Sequence, residues 1–122
     1  MNGHKDLLVW QKSIDHVSNI YRVTSEYPKE ELFGIVSQMR RAAVSVPSNI
    51  AEGYGRVYGK ETSKFLSNAL GSATELETQL IISKDLGFLS VIQAEKMIGE
   101  ITEIIRMLTS LIKSLDRSSQ IS

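Results

Sequence analysis

The feature that most constrains this chain is a helical spacing of apolar residues that continues almost from end to end. Apolar side chains recur every three or four positions, whereas the strict alternation of a half-buried strand is absent. We therefore predict helices over about 8–26, 29–52, 60–86 and 90–115. Four helices of similar length with short connections indicate an all-α, antiparallel, up-down-up-down four-helix bundle. The three-four repeat further favours shallow, left-handed crossings.

Each predicted helix carries a stripe of apolar residues that we expect to face the core. On the first two helices the stripes are Trp10, Ile14, Val17, Tyr21, Thr24 and then Leu32, Val36, Met39, Ala43, Val46, Ile50. On the last two they are Leu66, Ala69, Ala73, Leu76, Leu80 and then Val91, Ala94, Ile98, Ile101, Ile105, Leu108, Ile112, Leu115.

Caps and breakers place the helix ends. Asp6 is a candidate cap for the first helix, and Pro28 disfavours helical geometry at the residue before it. Gly87 suits the left-handed position that closes the third helix, and Ser90 suits the cap of the fourth. The polar tail 116–122 is expected to fray.

Length and composition favour one domain spanning 1–122. There is no cysteine, no apolar leader and no apolar run long enough to span a bilayer, so we expect a cytoplasmic protein without a membrane segment. Fourteen basic and fourteen acidic residues give a formal charge of +0. A dedicated nucleic-acid binder usually has a basic surplus, so the balance counts against that class.

Pro47 stands inside the second predicted helix. An internal proline costs about 3 kcal/mol, so the helix either bends and continues or stops and restarts. Val46 and Ile50 stay in phase with Met39 and Ala43 across the proline, which favours one helix kinked at Pro47.

A second, polar row occupies another face of the second and third helices. Its residues are mostly short, which permits close approach by another backbone. We therefore predict an oligomer interface, with Arg41 and Glu75 as charge partners within or between chains; a solvated face is the alternative. The row consists of Arg41, Ser45, Ser48 and Glu52, then Asn68, Ser72, Glu75 and Gln79, with Gly71 beside them.

The stretch "EGYGR" is predicted as the end of the second helix and a turn, and it contains Gly53 and Gly55, which can adopt positive φ angles. Tyr54, Arg56 and Tyr58 interleave aromatic and basic groups, a combination that can stack on bases and contact phosphate. Packing of the loop against the bundle end is the alternative. The candidate nucleic-acid contacts are Arg40, Arg41, Arg56, Lys60 and Lys64.

We find no catalytic or metal-binding constellation in the sequence, and we predict neither an enzyme nor a cofactor. His16 stands alone, and we expect it on the surface or at an interface. The Glu-x-x-His motif of di-iron bundles is absent, and Glu75 and Glu77 diverge around a helix. The stretch around Lys60 does not match the motif of a phosphate-binding loop, because Glu61 follows the lysine where that motif has Ser or Thr.

Three segments carry a resemblance to a known family: "LLVWQKSIDHVSNIY", "LFGIVSQMRRAAVSVPSNIAEGYGR" and "KFLSNALGSATELETQL". They look like the four-helix-bundle proteins encoded in intervening sequences of bacterial 23S rRNA genes. The likeness extends over nearly the whole of 8–115. By position, the family motif falls on Gln38, Arg40, Arg41, Ser45, Pro47, Asn49, Glu52, Gly53, Gly55 and Arg56.

The resemblance implies a four-helix bundle that assembles as a ring-shaped homopentamer and carries no catalytic residues. A similar accessory protein of retroelements is thought to bind nucleic acid and a reverse transcriptase through a basic surface, whereas this chain is neutral. The sequence therefore predicts a non-enzymatic oligomeric scaffold with a possible protein partner. The alternative is an accessory protein that binds rRNA or another nucleic acid through a local basic surface.

Overall fold

The computed structural model describes residues 3–55 and 60–121, with side chains in these ranges except at 60 and 118–121. All regular structure in these ranges is helical, which confirms the predicted all-α class with four main helices. A 3₁₀ turn, Gly3–Asp6, precedes the first helix, and two short turns, Lys29–Glu31 and Leu32–Val36, separate the first helix from the second. The main helices are α1 (Leu8–Thr24), α2 (Ser37–Gly55), α3 (Lys60–Asp85) and α4 (Val91–Ile121).

Each helix packs on the next along the chain, and α4 also packs on α1. The Thr62 hydroxyl, at the start of α3, donates to the Gly53 carbonyl near the end of α2 at 2.9 Å. At the other end of the molecule, the rings of Tyr27 and Phe88 lie 5.3 Å apart. The α1–α2 connection and the α3–α4 turn therefore meet at one end of the molecule, which we call the Tyr27 end.

The core lies between the four helices and is aliphatic. Burial of each large aliphatic side chain is worth about 1.5–3 kcal/mol, so this cluster is the main source of stability. The predicted α3 stripe, from Leu66 to Leu80, is fully buried. The largest fully buried side chains are those of Ile20, Val36, Met39, Val46, Ile50, Leu66, Leu76, Leu80, Ile101, Ile104 and Leu108.

The register of α1 differs from the predicted one. Ile14 and Tyr21 are exposed, and the buried face consists of Val9, Ser13, His16, Ile20 and Thr24. Two of these polar groups bond to backbone carbonyls: the Ser13 hydroxyl donates to Trp10 O at 2.7 Å and the Thr24 hydroxyl to Ile20 O at 2.6 Å. A polar side chain with a satisfied hydrogen bond can be buried. The predicted stripe was therefore wrong at Ile14 and Tyr21 and right at Thr24, while Trp10 and Val17 are partly buried against the core.

The second helix begins later than predicted. A π-helical turn, Leu32–Val36, precedes it, and the backbone at Gly34 (φ −109°, ψ −116°) leaves helical geometry. This break turns Leu32 outward instead of into the core, and Phe33 is also exposed. Pro47 lies inside an uninterrupted α2, so the helix does not stop and restart there.

The α3–α4 turn forms as predicted. Gly87 has a φ of +79°. Its amide bonds to Lys84 O at 3.1 Å, and the Phe88 amide bonds to Ser83 O at 2.9 Å, which is the Schellman pattern. The Ser90 hydroxyl accepts from the Gln93 amide at 3.1 Å, and Gln93 Oε1 accepts from the Ser90 amide at 3.2 Å, which closes a capping box.

Two helix ends differ from expectation. The N-cap of α1 is Leu7, without a side-chain hydrogen bond, so Asp6 is not the cap. The last helix continues to Ile121, six residues past the predicted end at Leu115. In the described part of the chain, no helix has the length and apolar character needed to cross a membrane.

Candidate interaction surfaces

The two polar rows predicted as an oligomer interface lie on neighbouring helices and meet within the chain. The hydroxyls of Ser45 and Ser72 are hydrogen-bonded at 2.8 Å, and Asn49 Nδ2 donates to Ser45 Oγ at 2.9 Å. Ser45 and Ser72 are half-buried. The remaining members of the rows, apart from Gln79, are exposed: Arg41, Ser48, Glu52, Asn68 and Glu75.

Gln79 does not point outward as predicted. It is 6% exposed, and its Oε1 atom has no hydrogen-bond partner among the described residues. Nor does an ion pair join Arg41 to Glu75 within the described part of the chain. Ser45 and Ser72 thus contribute to the close packing of α2 on α3, whereas the exposed members of the rows remain at the surface.

The candidate phosphate-binding residue Arg40 is engaged inside the chain. Its Nε atom donates to the Thr24 hydroxyl at 3.0 Å, and its guanidinium carbon lies 4.6 Å from the centre of the Tyr21 ring. One of its terminal nitrogens is also 3.5 Å from the Tyr21 carbonyl. A cation at a helix C-terminus is stabilised by the helix dipole, so Arg40 ties α2 to the end of α1.

The structure does not gather the predicted basic residues into one patch. Arg41 is exposed beside Arg40 near the start of α2, whereas the exposed Lys64 lies near the other end of the molecule, one turn from the Gly53–Thr62 contact. Twelve helical residues separate Arg41 from Gly53, a rise of about 18 Å. Arg56, Tyr58 and the side chain of Lys60 lie outside the described residues.

Gly53 and Gly55 can adopt positive φ angles, but they do not do so here, and the turn predicted at this stretch is helical through Gly55. Both lie in α2, and positive φ occurs, among the described residues, at Gly3 and Gly87. A Cβ atom at Gly53 would lie 3.1 Å from Phe65 Cβ and 3.2 Å from Thr62 O. Glycine is thus needed there for the close approach of α2 to α3. A Cβ at Gly55 or Gly71 would meet nothing within 4 Å, and nothing in the structure explains these two glycines.

His16 was predicted on the surface or at an interface, and it is instead buried inside the chain. It is 3% exposed between α1 and α4, with Nε2 3.1 Å from the Met97 carbonyl oxygen and 3.8 Å from Glu100 Oε1. Burial lowers the pKa of His16, which favours the neutral ring, and that ring donates its Nε2 proton to Met97. The surrounding charges form an ion pair, Lys12–Glu103 at 2.6 Å. His16 is therefore a hydrogen-bond donor within the core.

An open apolar groove between α1 and α2, near the Tyr27 end, was missed by the sequence analysis. It has a volume of about 660 Å³. Phe33 is 92% exposed at this groove, and Tyr21, Leu32 and Val44 are also exposed. The signal that could have identified it was Phe33 and Val44, which fall outside the predicted core stripes. We call this surface the α1–α2 groove: Tyr21, Leu32, Phe33, Val36, Ser37, Arg40, Arg41, Val44 and Ser45.

The apolar surface continues along α1 and α2 beyond this groove. A second depression of about 290 Å³ is lined by Trp10, Ile14 and Val17 of α1 and by Val44 and Pro47 of α2, among others. Because Val44 lines both depressions, they are adjacent. The exposed Ile14 and the outer sides of the partly buried Trp10 and Val17 thus form part of this outer surface.

A further set of exposed apolar side chains lies around the α3–α4 turn, also at the Tyr27 end. Ile92, in the first turn of α4, is 82% exposed. Monomeric proteins rarely expose large contiguous apolar patches without a partner. We call this set the α3–α4 corner: Ile81, Ile82, Leu86, Val91 and Ile92.

A family model described as the 23S rRNA-intervening sequence protein matches residues 5–110. The chain belongs to this family. The family is thus the one that the residue-level resemblance indicated, and its description names an origin rather than a reaction. None of the curated proteins matches the chain.

A solved structure is similar to this family member. It is the crystal structure of a protein of unknown function from the S23 ribosomal protein family of Bacteroides thetaiotaomicron. The two chains are 26% identical, the match covers 87% of this chain and 99% of the other, and the TM-score is 0.79. Neither the family nor this structure indicates a catalytic activity. In the described residues, no group of three or more histidine, cysteine or acidic side chains could hold a metal ion.

Proposed function

We propose that this protein is a non-enzymatic scaffold that assembles with copies of itself through apolar surfaces. The observation that carries the proposal is the α1–α2 groove, where Phe33 is 92% exposed beside other exposed apolar side chains. Removing one such side chain from water is worth about 1.5–3 kcal/mol. A partner that covers several of them therefore gains enough free energy to offset the cost of association.

The family resemblance supports a ring-shaped homopentamer as the assembled form. The polar rows on α2 and α3 would then contribute through their exposed members, with Arg41 and Glu75 available to a neighbouring copy. Interfaces commonly surround an apolar centre with such a polar rim. The small size of Ser45, Ser48 and Ser72 suits close approach at the rim.

The proposed subunit is an up-down-up-down, antiparallel, left-handed bundle with α2 bent at Pro47. Three contacts support the antiparallel order: Gly53 with Thr62, Met39 with Ser83, and Arg40 with Thr24. Each links one end of a helix to the opposite end of its neighbour. Pro47 supports the bend, because its ring crowds the preceding turn of the helix.

The nucleic-acid alternative has weaker support. Arg40 is engaged with Thr24 and Tyr21, and Arg41 and Lys64 lie toward opposite ends of the molecule. If the alternative held, affinity for structured rRNA would fall by roughly 0.7–0.9 log unit per log unit of salt for each phosphate contacted. An absence of binding at about 50 mM salt would rule it out.

Sedimentation velocity at low micromolar concentration tests the scaffold proposal. The wild-type protein should sediment as one defined oligomer, and Phe33→Asp should sediment as a monomer because a charge in the groove resists burial. Ser67→Asp, which places the same charge at an exposed position on α3, should assemble like the wild type. Circular dichroism checks that all three proteins are helical.

The outcomes separate cleanly. A wild-type monomer would overturn the proposed function. A Phe33→Asp protein that assembles normally would show that the α1–α2 groove is not the surface that holds the copies together, and the observation on which the proposal rests would be lost.

A further inference from the structure

We propose that the α1–α2 groove of one copy receives the α3–α4 corner of the next copy, so that the subunits associate head to tail. The inference rests on the proposed self-assembly and names the two surfaces that meet. Within a chain these surfaces cannot cover each other. Each helix packs on its two neighbours, so the α1–α2 pair and the α3–α4 pair form opposite sides of the molecule.

The two surfaces have complementary form. The groove is a depression of about 660 Å³, a size typical of sites that enclose several apolar groups. The corner surrounds a tight turn, and its residue Ile92 is 82% exposed. An aliphatic side chain on a turn can enter a depression, whereas two copies of the same depression cannot fill each other.

Both surfaces lie at the same end of the molecule. The Tyr27–Phe88 contact, with ring centres 5.3 Å apart, joins the segment that precedes the groove to the turn that forms the corner. A neighbour placed alongside in the same orientation therefore presents its corner at the height of the groove. Repeated rotation about an axis parallel to the helices closes such a contact into a ring.

The charges at the two surfaces also favour this pairing. The exposed Arg41 lines the groove, and the exposed Asp85 lies in the last turn of α3 between Ile82 and Leu86. Lys84 is one position away and is therefore rotated by about 100° around the helix. Groove-to-corner docking brings Arg41 toward Asp85, whereas a groove-to-groove dimer brings two copies of Arg41 together. Like charges in an interface are unfavourable, so the head-to-tail pairing is preferred.

Mixing two defective variants tests the pairing. Phe33→Asp disrupts the α1–α2 groove and leaves the α3–α4 corner intact. Ile92→Asp disrupts the α3–α4 corner and leaves the α1–α2 groove intact. Each variant alone should be monomeric. Mixed in equal amounts, they should form a dimer with one chain of each, because one intact groove and one intact corner remain. That dimer cannot grow, since its two outer surfaces are the damaged ones. Native mass spectrometry reads the composition directly.

Neither substitution should unfold the chain. Both side chains are exposed, at 92% and 82%. Ile92→Asp also places an acid in the first turn of α4, where the helix dipole favours it. Circular dichroism of each variant before mixing provides the control.

A charge exchange gives an independent readout. Arg41→Asp alone and Asp85→Arg alone should each weaken assembly about tenfold, which corresponds to about 1.4 kcal/mol. The double variant should recover most of the loss, because the pair is restored with its signs exchanged.

Failure of the inference and failure of the proposed function are distinguishable. A wild-type oligomer whose two variants stay monomeric when mixed would overturn the head-to-tail pairing and leave self-assembly intact. An Ile92→Asp protein that assembles like the wild type would exclude the corner. A wild-type monomer would remove both proposals.

Discussion

His16 illustrates how one residue can enter the core without being apolar. The cost of burying its ring is offset by the hydrogen bond to Met97, and Glu100 lies nearby. Periodicity ranks side chains by hydropathy, so a histidine on α1 was predicted to lie on the surface or at an interface. Arg40 is a second case: its cation–π contact with Tyr21 and its bond to Thr24 anchor α2 to α1.

The buried histidine should make stability depend on pH. Burial lowers the pKa of His16 below its ordinary 6.5, so the unfolded chain binds the proton more readily than the folded chain. The free energy of unfolding should therefore keep its full value above about pH 6.5 and decrease as the pH falls below that value. Urea unfolding at about pH 8 and pH 5 measures the difference. The charged groups that line the depression at His16 are Lys12, Asp15, Glu100 and Glu103.

The control for this effect is a change that cannot titrate. His16→Gln keeps a donor for Met97 and should show a smaller loss of stability on acidification. His4→Gln, at the other histidine, should keep the wild-type loss. If His16→Gln and wild type lost the same free energy between the two pH values, the carboxylates alone would account for the pH dependence.

Two glycines two positions apart should respond differently to the same substitution. Gly53→Ala forces a Cβ atom to within 3.1 Å of Phe65 Cβ and 3.2 Å of Thr62 O, and should destabilise the protein by about 1–3 kcal/mol. Gly55→Ala meets nothing within 4 Å and should be neutral or stabilise by up to about 1 kcal/mol. Chemical denaturation at one fixed protein concentration compares them. Equal effects at both positions would show that the α2–α3 approach is not tight.

At the scale of the elements, α2 is shaped at both ends by its neighbours. Its start is set by the break at Gly34, which turns Leu32 and Phe33 outward, and its end is held close to α3 at Gly53. Pro47 is buried on the side that faces α1 and lines the second depression there. A change in the path of the α2 backbone at Pro47 would therefore change the shape of this apolar depression.

Pro47→Ala tests whether the path of the α2 backbone at Pro47 matters for assembly. The monomer should stay helical by circular dichroism, because alanine restores a backbone donor and relieves an internal proline cost of about 3 kcal/mol. We expect the variant oligomer to dissociate at a higher protein concentration than the wild-type oligomer, since loss of the proposed bend would reshape the groove. Ser67→Ala, an exposed change on α3 outside the proposed surfaces, serves as the control. If light scattering showed unchanged assembly, the proposed bend would have no role in it.

At the scale of the whole molecule, the decisive property is that one bundle has two separate apolar surfaces at one end and on opposite sides. A single such surface would give a dimer, whereas two different surfaces give a chain of contacts that closes when the rotation permits. The zero formal charge fits this view, because little long-range repulsion opposes the approach of copies.

Much of the fold could be predicted because it rests on local rules. The α3 stripe from Leu66 to Leu80, the left-handed Gly87 and the Ser90 cap depend on neighbours within a few residues, and all three are confirmed. The candidate surfaces were harder to predict. Ile14 and Tyr21 satisfy the helical repeat as well as the buried residues do, so periodicity could not tell which face of α1 meets the core.

The sequence by itself determined the helical class, the number of main helices, the position of the α3–α4 turn and the family. These properties follow from spacing and from backbone preferences that act over one or two helical turns. Tertiary structure alone decided which face of α1 is buried, that Gly53 is needed for contact rather than for a turn, and that Phe33 stands in an open groove. Those properties depend on which side chains are brought together from distant parts of the chain, and hydropathy of single residues does not encode that choice.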